Sequence, residues 1–296
     1  MKKLNLIVAL VFTAGGAFAQ QNMSAVEQVG DMNEATVDQA GYRNEAFIGQ
    51  GGDDNKASQA QYGRHNEAYI VQLGEENEAS QMQEGRRNSA AILQVGVANT
   101  AYQDQIGRRN EAEATQLGLG NYSEQNQEGH RNEASVEQVG LLNSAYQEQS
   151  GGHNEASSTQ YGLLNSSEQY QYGYRNEATV EQSGGGNYAV QYQEGNRNSA
   201  SIAQSGDLNW AVQLQSGNRN SAKIDQEGDE NFAAQVQAGD DNYANIDQDD
   251  DGSHYATQMQ LGDGNSAITK QGSYGQISTV LQVGNGNSAI VHQDHP

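Results

Sequence analysis

From Asn22 onward, small or apolar residues alternate with polar ones at a period of two, in seven-residue segments, and the segments recur every eleven residues. The template is Asn-x-Ala-x-x-x-Gln-x-Gly-x-x. Gln fills the seventh position in all 25 units, from Gln28, Gln39, Gln50 and Gln61 to Gln271, Gln282 and Gln293. Asn leads 23 units, Ala or Ser is third in every unit, and Gly is ninth in 22. Period-two alternation predicts a strand, with the first, third, fifth and seventh residues on one face and the second, fourth and sixth on the other. Gly and the two residues after it are then the turn, where a backbone without Cβ can take positive φ.

Parity doubles the repeat. In odd units the fifth residue is aliphatic at Ile48, Ile70, Ile92, Val136, Val180, Ile202, Ile224 and Ile246. In even units it is Gln at Gln59, Gln81, Gln103, Gln125, Gln147, Gln169, Gln191, Gln213, Gln235 and Gln258. The expected fold is therefore all-β: a solenoid of 22-residue strand–turn–strand–turn coils forming two parallel, in-register sheets in cross-β manner. About twelve and a half coils at roughly 4.8 Å make a rod near 60 Å long.

Short turns hold the two sheets about 10 Å apart, so Ala or Ser at the third position lets them approach. Inward Asn and Gln amides need donors and acceptors, and the same residue one coil above and below supplies them. This predicts continuous ladders that include Asn44, Gln50, Asn66, Gln72, Asn132, Gln138, Asn220, Gln226, Asn231, Gln237, Asn287 and Gln293. The aliphatic residues named above form the core between them.

Composition sets limits on that picture. Residues 1–19 have a basic start at Lys2 and Lys3, a short apolar run from Leu4 to Thr13, and a small-x-small site at Ala17-Phe18-Ala19. They are expected to be a secretory signal peptide, too short to span a bilayer, leaving residues 20–296 as one repeat domain. The chain has no Cys and one Pro, at Pro296, so the ladders are uninterrupted and no disulfide staples them. Without Lys2 and Lys3 the net charge is near −25. Nucleic acid and membrane insertion are not expected partners, since such a charge repels phosphate and anionic lipid.

The outward faces differ. Odd strands carry Glu45, Glu67, Glu111, Glu133, Glu155 and Glu177, and the turns before them carry Arg43, Arg64, Arg87, Arg109, Arg131, Arg175, Arg197 and Arg219. The Arg and Glu columns are expected to offset each other. Even strands carry Tyr102, Tyr146, Tyr188, Tyr192, Trp210, Leu214, Phe232, Val236 and Tyr255, either a lateral contact stripe or isolated strand-forming aromatics. The pattern breaks at Asp250, with one inserted residue, at His254 and Gln276 in place of Asn, and at Ser273 in place of Gly. Val37 and Val280 replace Gln in the first and last even units. No cap is legible at either end of the repeat, and bare strand edges are templates for another chain.

Catalytic, cofactor-binding and metal-binding sites are not expected. The cluster Asp249-Asp250-Asp251 lies at the insertion with no spaced ligand set, and His130 and His153 lack metal-ligand spacing around them. No coil stands apart chemically from the others.

The spacing resembles the curlin repeat of curli fibre subunits, plainly so in Asn220-Ser221-Ala222-Lys223-Ile224-Asp225-Gln226-Glu227-Gly228 and in Asn231-Phe232-Ala233-Ala234-Gln235-Val236-Gln237-Ala238-Gly239. The likeness covers residues 22–293. It implies an exported subunit that polymerises head to tail with copies of itself into extracellular functional amyloid of the biofilm matrix. It also implies a nucleator subunit and an outer-membrane secretion channel as partners. The alternatives are the nucleator itself, a monomeric surface-binding solenoid, or a solenoid enzyme. The last would need a long loop carrying acids, and ice binding would need Thr-rich columns.

Overall fold

The computed structural model describes residues 21–249 and 252–294. The leader expected over residues 1–19 lies outside the described residues, as do Asp250 and Asp251 of the acidic cluster. The chain divides into two compact units, Met1–Leu142 and Asn143–Pro296, and each is a β-solenoid of 22-residue coils.

In the first unit the strands Met23–Val29, Glu45–Asp53, Glu67–Glu75, Ser89–Val97, Glu111–Leu119 and Glu133–Leu141 form one parallel sheet. The strands Glu34–Tyr42, Lys56–Arg64, Glu78–Arg86, Thr100–Arg108 and Tyr122–His130 form the other. Every residue pairs with the one 22 positions on: Ala46 with Ala68, Ile48 with Ile70, Gln50 with Gln72. The second unit repeats the plan, one sheet running from Ser144–Gly152 to Ile277–Val283 and the other from Glu155–Leu163 to Ser288–Gln293. Its offset lengthens to 23 across the insertion, where Gln237 meets Gln260, and returns to 22 where Gln260 meets Gln282.

The core is thin. Ile48, Ile70 and Ile92 pack with Ala57, Ala79 and Ala101 of the facing strands, and Val180, Ile202, Ile224 and Ile246 pack with Ala189, Ala211, Ala233 and Ala256. Val136 is also buried. One fully buried Ile is worth about 1.5–3 kcal/mol, and the Ala opposite it is small enough to let the sheets close.

The turn differs from the expectation. Most strands are nine residues long, not seven, and run from the second to the tenth position, so the ninth-position Gly lies inside the ladder. Gly85 has φ 117°, and a Cβ there would lie 1.9 Å from the carbonyl oxygen of Gly107 in the next coil. Gly is required by both conformation and close approach. The turn proper is the eleventh residue and the Asn after it. In most units that eleventh residue is left-handed without being Gly: Arg43, His65, Arg87 and Leu142 have φ of 54–59°. Such a residue costs about 1–2 kcal/mol. The coil before holds it in place, since His65 N–H donates to the Tyr42 carbonyl at 3.0 Å and Arg87 N–H to the Arg64 carbonyl at 3.1 Å.

The amide ladders as a candidate assembly interface

Seventh-position Gln side chains point inward because the alternation buries them, and each makes the same bonds. In the first unit Gln50 Nε2 donates to Gln72 Oε1, Gln72 to Gln94, and Gln94 to Gln116, each at 2.8 Å. Gln116 continues to Gln138 at 2.9 Å. The facing sheet repeats this from Gln39 through Gln61, Gln83 and Gln105 to Gln127 at 2.7–2.9 Å. In the second unit Gln226 donates to Gln248, Gln248 to Gln271 and Gln271 to Gln293 at 2.8–2.9 Å, and Gln237 to Gln260 at 2.9 Å. Every one of these donors points toward the C-terminal coil.

The second N–H of these Gln side chains ties the two sheets together. Gln72 Nε2 donates to the Lys56 carbonyl of the facing strand and Gln138 Nε2 to the Tyr122 carbonyl, both at 2.9 Å. The fifth-position Gln does likewise, as when Gln81 reaches Gln103 at 2.9 Å and the Tyr69 carbonyl at 3.1 Å. Buried amides left unmade would cost about 1–3 kcal/mol each. Here both protons are used.

Asn runs a different ladder. The backbone N–H of Asn66 donates to Asn44 Oδ1 and that of Asn132 to Asn110 Oδ1, each at 3.1 Å, and that of Asn220 to Asn198 Oδ1 at 3.0 Å. Asn Nδ2 closes the turn by donating to ninth-position carbonyls, as Asn220 does to Gly239 at 2.7 Å. Those Gly carbonyls are a functional group that reads in the sequence only as a turn; the recurrence of Gly in 22 units is the signal for it. Asn231 and Asn287 likewise hold to Asn209 and Asn265 at 3.0 Å. Asn44, Gln50, Asn66, Gln72, Asn132, Gln138, Asn220, Gln226, Asn231 and Gln237 are buried, while Asn287 and Gln293, in the last coil, are not.

Irregular positions keep the ladder running. His254, buried where Asn is usual, donates its backbone N–H to Asn231 Oδ1 at 2.9 Å. Its Nδ1 accepts from Gln276 N–H at 3.3 Å, so an imidazole nitrogen does the work of the amide oxygen. The substitution at Val37 is less well absorbed. With no amide before it, Gln59 Oε1 is buried and has no partner. At Val280 the preceding Gln258 Nε2 instead finds Thr269 Oγ1 at 3.0 Å.

Outside, even-strand rings contact one another along the coils. Tyr188 meets Trp210 at 5.3 Å between centroids, Trp210 meets Phe232 at 6.2 Å, and Phe232 stacks on Tyr255 at 4.8 Å. Tyr hydroxyls bond to carboxylates, Tyr102 to Glu78 at 2.7 Å and Tyr172 to Glu148 at 2.7 Å. Burial, with the Glu78 hydrogen bond second, pushes Tyr102 up to about 12. Burial and Glu168 likewise raise Tyr170. The expected offset of Arg and Glu columns does not form at several of its positions. Arg43, Arg87 and Arg109 make no ion pair with Glu45, Glu67 or Glu111, and the pairs that do form include Arg219–Asp241 at 2.6 Å and Lys270–Asp247 at 3.0 Å. Exposed pairs are worth so little that neighbouring partners decide them.

Among the described residues no group of three or more His, Cys, Asp or Glu side chains is placed to hold a metal, and no helix is long and apolar enough to cross a membrane. His130 belongs to the first unit and His153 to the second. The profile of the curlin associated repeat matches residues 30–58, 85–118, 126–162, 195–228 and 217–249, together just over half of the chain. No curated protein matches it.

Proposed function

The chain belongs to the curlin-repeat family, and from that premise we propose that it is a secreted structural subunit that polymerises end to end into extracellular curli-like amyloid fibres of the biofilm matrix. Curlin repeats belong to structural proteins rather than enzymes, and the repeats and solenoid fold fit a curli-type fibre subunit. The observation that carries polymerisation is the polarity of the Gln ladders. The first described coil offers the Oε1 acceptors of Gln28 and Gln39, which give their own amide protons to Gln50 and Gln61. The last offers the outward Nε2 protons of Gln282 and Gln293, whose other bonds are to the Ser266 and Ile277 carbonyls. A donor face and an acceptor face with the same register stack head to tail, a heterologous arrangement that does not close. Exposed apolar residues on the last coil support the same contact: Ile277, Val283 and Ile290 are 69%, 67% and 72% exposed.

The partners of such a subunit are further copies of itself, a nucleator subunit and an outer-membrane secretion channel, and its place is the cell surface. The test is incubation of the purified mature chain, followed by imaging and fibre diffraction. Filaments with a 4.7–4.8 Å meridional reflection are expected, growing faster as salt screens the acidic surface. A chain that stays monomeric for days at micromolar concentration, and never seeds, refutes end-to-end assembly.

A further inference from the structure

The turns that lead from each Gln-type strand into the next Ile-type strand make a strongly basic edge in the first unit. Seven of the chain's 15 Lys and Arg residues lie on it. Register stacks them, since Arg64 pairs with Arg86 and Arg86 with Arg108, with Tyr42 before them and His130 after. Arg87 and Arg109 follow in the left-handed position beside them. Arg64, Arg86, Arg87, Arg108 and Arg109 are all exposed and form no ion pair. Arg64, Arg86, Arg108 and His130 line a shallow groove of about 530 Å³ floored by Gly63, Gly85, Gly107 and Gly129, with no carboxylate in its lining.

Like charges repeated at about 4.8 Å repel, and neither the core nor the amide ladders require them. The ladder needs only Gly at the ninth position and Asn at the first. The opposite turns of the same coils carry Asp53, Asp54, Glu75 and Glu76 instead. We propose that this edge is a binding site for a linear carboxylated polysaccharide.

The geometry selects that class of partner. A guanidinium fork binds a carboxylate through two parallel hydrogen bonds, and a floor of Gly lets a sugar ring lie close to the backbone. A head-to-tail pyranose chain is extended with one acid group per sugar, and the acids it turns to one side recur every second or third sugar, where they meet every second or third guanidinium of the column. Duplex DNA suits the edge poorly, because its phosphates wind around the axis and leave a straight column after a few contacts. Single strands are held by aromatic platforms, and the groove has none. The nearby Tyr42 ring is already covered by the Arg43 guanidinium at 4.9 Å and met edge-on by His65 at 5.9 Å. A second copy of the chain fits less well, because its acidic turns give way to Val97, Ala98 and Leu119 before the basic run ends.

The test titrates the full chain at low salt with fluorescent polygalacturonate, with its methyl ester, and with single- and double-stranded DNA of matched charge. Saturable binding to polygalacturonate alone is expected. The variant R64Q/R86Q/R108Q should bind about tenfold more weakly, as three exposed ion pairs would predict, with an unchanged circular dichroism spectrum. R197Q/R219Q/K223Q removes the same charge from the second unit and should bind as the parent does. On the unaltered chain, bound polygalacturonate should protect Arg64, Arg86 and Arg108 from arginine-specific modification more than Arg197. Equal weakening in the two variants, uniform protection, or DNA binding as tight as polygalacturonate binding would each overturn the proposal.

Discussion

The seventh-position column is Gln throughout both units, whereas the tenth position of the even repeats changes character between them. In the first unit it holds Arg64, Arg86 and Arg108; in the second it holds Asn196, Asn218, Asp240 and Asp263. Those later side chains satisfy the turn from within. Asp240 Oδ1 accepts from Asn218 N–H at 2.8 Å, Asp263 Oδ1 from Asp240 N–H at 2.9 Å, and Asn285 Oδ1 from Asp263 N–H at 2.8 Å. A guanidinium, which has no acceptor, cannot do this, and its charge is turned outward. The interior is fixed by burial, which leaves no room for variation, while the edge is fixed by whatever lies beyond it.

Substitution at the ninth-position Gly should have the largest effect and should not distinguish the units. Gly85→Ala and Gly173→Ala would put Cβ atoms 1.9 and 2.1 Å from the next coil's carbonyl oxygen at φ near 120°. Each should lower stability by about 3 kcal/mol or more in denaturant titration. Gly264, at φ 66° with nothing within 4 Å of a Cβ, tests whether conformation alone matters. Gly264→Asn should fall within about 0.5 kcal/mol of the parent.

Breaking the Gln column comes next. Gln83→Ala strands one N–H of Gln61 and the Oε1 of Gln105, and Gln193→Ala strands one N–H of Gln171 and the Oε1 of Gln215. About 3 kcal/mol should be lost in both cases, from two unpaired buried groups and a cavity. Unequal losses would show that the interior is not uniform after all. Repair should be unequal. Val37→Gln gives the orphaned Gln59 Oε1 a donor and should raise stability by about 1 kcal/mol. Val280→Gln should change little, because Gln258 Nε2 already bonds Thr269 Oγ1 and the Asn245 carbonyl.

The edges should respond with opposite signs. Arg86→Gln relieves repulsion from Arg64 and Arg108 and should gain a few tenths of a kcal/mol at low salt. Arg219→Gln removes the partner of Asp241 and should be destabilising. Both effects should vanish near 1 M salt, where the Debye length is about 3 Å. Equal signs would undo the comparison between the two edges.

Much of the fold was legible because burial writes itself into a sequence at period two. The columns from Ile48 to Ile246, and those of Asn44 and Gln50, follow from that alternation and from the parity at the fifth position. The left-handed conformation of Arg87 and Leu142 was not legible, because hydrogen bonds from the preceding coil impose it against residue preference. The link from Gln72 to the Lys56 carbonyl was hidden for a related reason: it depends on how the facing strands are staggered. Ion pairing was hidden because differences of a few tenths of a kcal/mol separate Arg219–Asp241 from the pairs that do not form.

The smallest effect concerns protons, and it belongs to the acidic part of the second unit. Burial first, and then the neighbouring Asp247, push Asp249 up to about 6, with Glu227 and Asp225 adding to the field. Asp247 itself is held by Lys270 at 3.0 Å. A carboxyl whose folded pKa is raised favours the protonated fold. Its contribution is complete below the ordinary carboxylate range and is lost as pH rises through about 6. Stability measured by denaturant midpoint should therefore be higher at pH 5 than at pH 7, with Asp249 supplying a few tenths of a kcal/mol after solvent screening. Asp249→Asn should remove that portion of the slope and leave the rest. Part of the remainder comes from the first unit, where burial and Glu84 raise Asp104. If Asp249→Asn left the pH slope unchanged, the crowding of carboxylates at this turn would have no energetic consequence, and the difference between the units would reduce to the arginines alone.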